Sequence, residues 1–124
     1  MNKVNIAEKF SKISEYYKPK LIGELNGQHV KIAKLKGEFI WHKHDDEDEM
    51  FLIIKGKLLM ELRENNSEVR NIELNEGEFL IVPRGVEHKP VAKEEVHLML
   101  FEPSGTLNTG DVENERTERK IEKI

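Results

Sequence analysis

The chain has 124 residues, of which 37% are hydrophobic and 35% charged, with a formal net charge of −4 and no cysteine. That length suits one domain around one core. The absence of thiols excludes a disulfide framework and a thiolate metal site, and no basic stripe marks a nucleic-acid-binding face.

The N-terminus lacks the apolar core of a signal peptide. The longest apolar run, MFLII at 50–54, is too short to cross a membrane. A cytoplasmic protein without membrane or nucleic-acid partners is expected. Residues 5–17 read as a helix, because Ile6, Phe10, Ile13 and Tyr17 recur on one helical face, Asn5 suits the N-cap and Pro19 follows the end. From Leu21 onward the texture is short strands and turns. Asn26-Gly27 signals a tight hairpin. Strands are expected at 29–35, 38–43, 50–55, 57–63, 69–74, 79–82, 86–91 and 95–101. Turns lie at 55–57, 64–67, 75–77 and 83–85. Many short strands with regular turns indicate a sandwich or barrel. After Pro103 the chain turns polar and charged, and 113–124 reads as a frayed helix or a disordered tail. The expected divisions are 1–19, an N-terminal helix; 20–103, a β-barrel; and 104–124, a tail or lid over the barrel mouth.

The stretch WHKHDDEDE at 41–49 is the chemical focus. Alternate residues of a strand share a face, so His42 and His44 project together, about 7 Å apart at the backbone. Glu49 opens the next apolar strand and reaches the same point if the two strands pair. His88 follows the turn PRGVEH and is the fourth candidate. Asp45, Asp46 and Glu47 between the candidates read as a solvated loop.

These residues stand in a larger pattern. Gly37, His42-Lys43-His44, Glu49 and Gly56 resemble the first cupin motif, with four residues after Gly37 where five are usual. Gly77, Pro83-Arg84-Gly85 and His88 resemble the second, with Ala92 where that motif often ends in Asn. The resemblance covers roughly residues 30–101. It implies an all-β, antiparallel jelly-roll barrel in which His42, His44, Glu49 and His88 hold a divalent metal. Glu49 is preferred to Asp48 because it keeps six residues before Gly56. Three imidazoles and one carboxylate suit Fe, Mn, Ni, Co or Zn better than Mg or Ca.

Two further candidates are His97 and Arg84. His97 alternates with Met99 and Phe101, and is either a cavity-lining base or a structural residue. Arg84 is either an anion contact or an exposed turn residue. Phe51 and Ile53 share the parity of Glu49 and form apolar walls. Leu52 and Ile54 face the other way and need cover from the helix or a second subunit. Trp41 faces opposite to His42, and a homodimer is expected. The functional expectation is a metal-dependent enzyme, isomerase-like or dioxygenase-like, acting on a small oxygen-rich metabolite. The alternative is a non-catalytic small-molecule binder or sensor.

Overall fold

The computed structural model describes residues 1–65 and 68–124. Asn66 and Ser67, part of the turn expected at 64–67, lie outside the described residues. In chain order the elements are α1 (Ile6–Phe10), β1 (Lys20–Leu25), β2 (Gln28–Glu38), β3 (Glu49–Lys55), β4 (Leu58–Arg63), β5 (Arg70–Leu74), β6 (Phe79–Val82), β7 (Glu87–Pro103) and β8 (Glu122–Lys123).

The strands form an antiparallel jelly roll in which, among the described strands, only the short β8 pairs parallel, to β1. The 17-residue β7 organises it. Its first half pairs with β4, and its second half pairs with β2 on one side and β3 on the other. The sequence suggests two strands here, because KEE at 93–95 interrupts the apolar alternation. Those residues are exposed and unpaired, a bulge between Val96 and Ala92 in the pairing with β2, yet the strand runs on through them. The hairpin at Asn26-Gly27 forms as expected: both residues have positive φ (49° and 75°), and Leu25 faces Gln28 across a two-residue loop.

Alternation decides the interior. Ala33 and Leu35 of β2, Phe51 and Ile53 of β3, Leu58 and Met60 of β4, and Leu98 and Leu100 of β7 all turn inward and are buried. Each of these side chains larger than alanine contributes about 1.5–3 kcal/mol on burial. A second, outer cluster joins Phe10 and Ile13 to Ile22 and Ile32, with Ile54 and Met99 packed against it. The N-terminal segment therefore covers part of the outward face of β2, β7 and β3.

That segment is shorter as a helix than expected. It ends at Phe10, with the Ser11 hydroxyl bonded back to the Glu8 carbonyl at 2.5 Å. Ile13 is still buried, so the apolar spacing reported burial and not helical continuity. Tyr17 sits at φ 59° and its N–H donates to the Lys34 carbonyl, which docks it on the sheet edge. Residues 39–48 are likewise not a strand. One bridge, His42 with His88, interrupts an open loop.

The C-terminal stretch is neither a helix nor detached. Asp111 pairs with both backbone groups of Lys43, its N–H donating to the Lys43 carbonyl and its Oδ1 accepting from the Lys43 N–H, each at 3.0 Å. Thr106 and Thr109 are buried, and the Ile124 N–H donates to the Leu21 carbonyl. Gly110 makes this contact possible. Its φ is 57°, and a Cβ there would run into the Lys43 carbonyl and come within 3.1 Å of His42 Cδ2. Gly110→Ala is therefore expected to lower stability by about 1–3 kcal/mol. It should also raise hydrogen exchange at Lys43 and Asp111 selectively; uniform protection with unchanged stability would contradict this tie.

Candidate metal centre

Three elements bring the four predicted residues together. His42 and His44 come from the loop after β2, held by the reciprocal backbone bonds of His42 with His88 (3.1 and 2.9 Å) and by the Gly85 N–H donating to the His44 carbonyl (2.7 Å). Glu49 is the first residue of β3 and turns inward by its parity with Phe51 and Ile53. His88 lies at the start of β7. All four are buried, His88 completely.

Their geometry is convergent. One ligand-type atom from each of the four lies within 4.8 Å of the others. His44 Nε2 and His88 Nε2 stand 3.3 and 3.4 Å from Glu49 Oε1. Atoms bound about 2.1 Å from a shared ion are roughly 3–4 Å apart, so only small adjustments are needed. The ring tautomers are also set. His42 Nδ1 donates to the Ile40 carbonyl (2.9 Å) and His88 Nδ1 to the Val86 carbonyl (3.0 Å), leaving both Nε2 lone pairs facing inward.

Three of the inward atoms, His44 Nε2, His88 Nε2 and Glu49 Oε1, are buried without a hydrogen-bond partner. Buried polar atoms are nearly always satisfied, and here the orphans face one point. The cluster of three imidazoles and one carboxylate fits a divalent metal.

Electrostatics support this. Burial, reinforced by the neighbouring His88, pushes the His42 imidazole down to about 4, so it stays neutral and able to ligate. Burial also acts on His44, but the adjacent Glu49 carboxylate outweighs it and raises that group. Burial opposes ionisation of Glu49, yet the neighbouring Glu102, His44 and His88 hold it well below the usual carboxylate range. A depressed histidine pKa means the unfolded chain takes up the proton first. In metal-free protein His42 should therefore stabilise nothing on acidification. Stability should fall from about pH 6.5 toward 4, by about 3 kcal/mol from this residue. An NMR titration of metal-free protein should find His42 titrating near 4; titration near 6.5 would contradict its burial.

Two functional neighbours were missed. Lys31 and Glu102 are both buried, and Lys31 Nζ donates to Glu102 Oε1 (2.9 Å) and to the Thr106 carbonyl (3.2 Å). Glu102 also hydrogen-bonds Glu49. Burial and the charge of Glu49 raise the Glu102 carboxyl well above its ordinary range, against the pull of Lys31. Its Oε2 receives no donor. Strand parity contained the signal, since Lys31 shares a face with Ala33 and Leu35, and Glu102 with Leu98 and Leu100.

The other candidates stand elsewhere. His97 lies on the outer face, stacked on Phe10 with ring centroids 4.5 Å apart and bonded to Glu95 at 2.8 Å. Arg84 is exposed and pairs with Asp48 at 3.3 Å, which also removes Asp48 from competition with Glu49. Trp41 faces outward under the Arg63 guanidinium, 4.7 Å from its ring.

A family model described as the cupin domain matches residues 28–102. The chain belongs to the cupin family. Among solved structures, this cupin resembles a cupin-2 domain containing protein from Shewanella frigidimarina, with 42% identity over 81% of this chain and 93% of that one, and a TM-score of 0.75. It is 34% identical over 68 residues to the uncharacterized protein YdbB of Bacillus subtilis, covering 55% of this chain and 57% of that protein. Over 44 residues it is 39% identical to 3-hydroxyanthranilate 3,4-dioxygenase 2 of Aspergillus oryzae, covering 36% of this chain and 25% of that protein. The match thus spans under two thirds of either curated relative. No helix among the described residues is long and apolar enough to cross a membrane.

Proposed function

We propose that this cupin is a metal-dependent enzyme of the cytoplasm acting on a small molecule that chelates the ion through oxygen. His42, His44, Glu49 and His88 are the ligands, and the ion is Fe, Mn, Ni, Co or Zn. The reading is carried by the three buried, unpartnered lone pairs facing one point. A bound ion supplies Lewis acidity at a chelated oxygen and, if iron, a seat for dioxygen chemistry. The chain's own part is to fix the ligand rings through the Ile40 and Val86 carbonyls, to hold Glu49 charged through Glu102, and to exclude water with Phe51, Leu98 and Leu100.

Two observations favour the dioxygenase-like over the isomerase-like form. An isomerase needs a positioned base for carbon-bound protons. Among the described residues, the cavity beside His42 and Glu49 is bordered by one further titratable side chain, Tyr17, whose phenol burial pushes far up. The short likeness to the Aspergillus oryzae dioxygenase points the same way. Oxygen-electrode assays on the iron-loaded protein with a panel of small chelating substrates test this. Substrate-dependent oxygen uptake is expected; tight binding without turnover would favour the non-catalytic binder.

We assign a homodimer as the working form. Phe79 and Ile81 of β6 point outward, 60% and 54% exposed, beside Leu52 and Met50 of β3 in register. The double variant Phe79→Glu, Ile81→Glu is expected to sediment as a monomer at micromolar concentration while the parent sediments as a dimer. A parent that is itself monomeric would remove this assignment.

A further inference from the structure

The cavity next to the metal centre limits what the ion's partner can be, an inference that rests on the metal reading above. It holds about 40 Å³, room for a few waters or a handful of heavy atoms. Its walls are the inward side chains of Ala33, Leu35, Phe51, Leu98 and Leu100, closed at one side by Phe39 stacked on Tyr17 with centroids 4.8 Å apart.

The polar groups at its border are already engaged. The Tyr17 hydroxyl donates to the Gly37 carbonyl at 2.5 Å. Asn108 donates through Nδ2 to the Arg116 carbonyl (2.7 Å) and accepts at Oδ1 from the Glu118 N–H (2.8 Å). Among the described residues no lysine or arginine lines this space. The Arg116 guanidinium is near, but it packs 5.5 Å from the ring centroids of Tyr17 and Phe39 and donates to the Glu38 carbonyl. Lys31 is committed to Glu102 and Thr106. A phosphate, carboxylate or polyhydroxylated group placed in this cavity would shed its hydration and find no partner.

We propose that the site selects a compact molecule with chelating oxygen atoms at one end and an uncharged, apolar body, and rejects sugar phosphates and dicarboxylates. The metal end supplies the polar recognition, and the walls supply shape and desolvation.

Calorimetry on the wild-type protein loaded with Ni(II), a redox-quiet ion, tests this with two probes of one skeleton. Pentane-2,4-dione and malonate both close a chelate ring through oxygens three carbons apart, but malonate replaces the methyl groups with charged oxygens. With each normalised to its affinity for free Ni(II), the dione is expected to bind at least tenfold more tightly. Glucose 6-phosphate should bind no better than malonate, and 1-phenylbutane-1,3-dione should bind at least tenfold more weakly than the smaller dione, for lack of room. Equal or tighter binding of malonate or the sugar phosphate would overturn the proposal, as would undiminished binding of the phenyl dione. Elemental analysis of the same sample separates the two readings. Nickel present with malonate preferred removes only the apolar-ligand inference, whereas protein that takes up no nickel removes the metal reading and this inference with it.

Discussion

Lys31→Met is expected to destabilise the protein by about 1–3 kcal/mol, the range for leaving a buried polar group without its hydrogen-bond partner. The Lys31 and Glu102 side chains are each 2% exposed, so solvent cannot compensate the carboxyl left behind. The loss is larger than that of a surface pair such as Lys57 with Glu73, where both side chains are more than half exposed. The double variant Lys31→Met, Glu102→Leu should recover most of the lost stability, because replacing a buried pair with apolar groups is often neutral. It should not recover the site. With Glu102 gone, Glu49 loses a hydrogen-bond partner, and metal affinity should fall about 10- to 100-fold, as for other residues that orient ligands. Chemical denaturation and metal titration on both variants check this. A single variant within about 1 kcal/mol of wild type, or a double variant with unchanged metal affinity, would contradict the bracing role.

Glu49→Gln should lower metal affinity by more than about a hundredfold, beyond the loss for an orienting residue. The substitution keeps the shape and removes the only carboxylate in the four-residue cluster. It also ends the competition between the Glu49 and Glu102 carboxyls, so the metal-free variant should be no less stable than the metal-free parent. Loss of affinity with retained stability separates a ligand from a structural residue. Equal affinity would place the ion elsewhere. Asp48→Asn is the control: Asp48 is exposed and held by Arg84, and its loss should leave affinity unchanged.

Much of this site was legible in the sequence because the residues that form it are tied to local rules. His42 and His44 are both buried at the site, although the strand expected to align them is here a loop pinned by one bridge. Glu49 and Phe51 alternate inward along β3. The hairpin at Asn26-Gly27 followed from the positive φ that such a turn requires.

What was not legible depends on tertiary partners. The periodicity from Ile6 to Tyr17 recorded which residues are buried, but Tyr17 reaches its place through a left-handed backbone and a bond to Lys34, not through a helix. The C-terminal stretch has the composition of a loose tail, yet Asp111 ties it to Lys43 and Thr109 is fully buried. Lys31 and Glu102 occupy core parity, but alternation alone could not say that two charged residues 71 positions apart meet. His97 shows the converse: a histidine in the right strand, one residue out of the inward register, ends on the outer face against Phe10.

The most direct test of the account is the metal content of untagged wild-type protein by elemental mass spectrometry, with His42→Ala and His88→Ala beside it. The account predicts about one equivalent of a transition metal per chain in the wild type and its loss in both variants while they remain folded. Folded wild-type protein that holds no metal and takes up none of Fe, Mn, Ni, Co or Zn when these are added would contradict it.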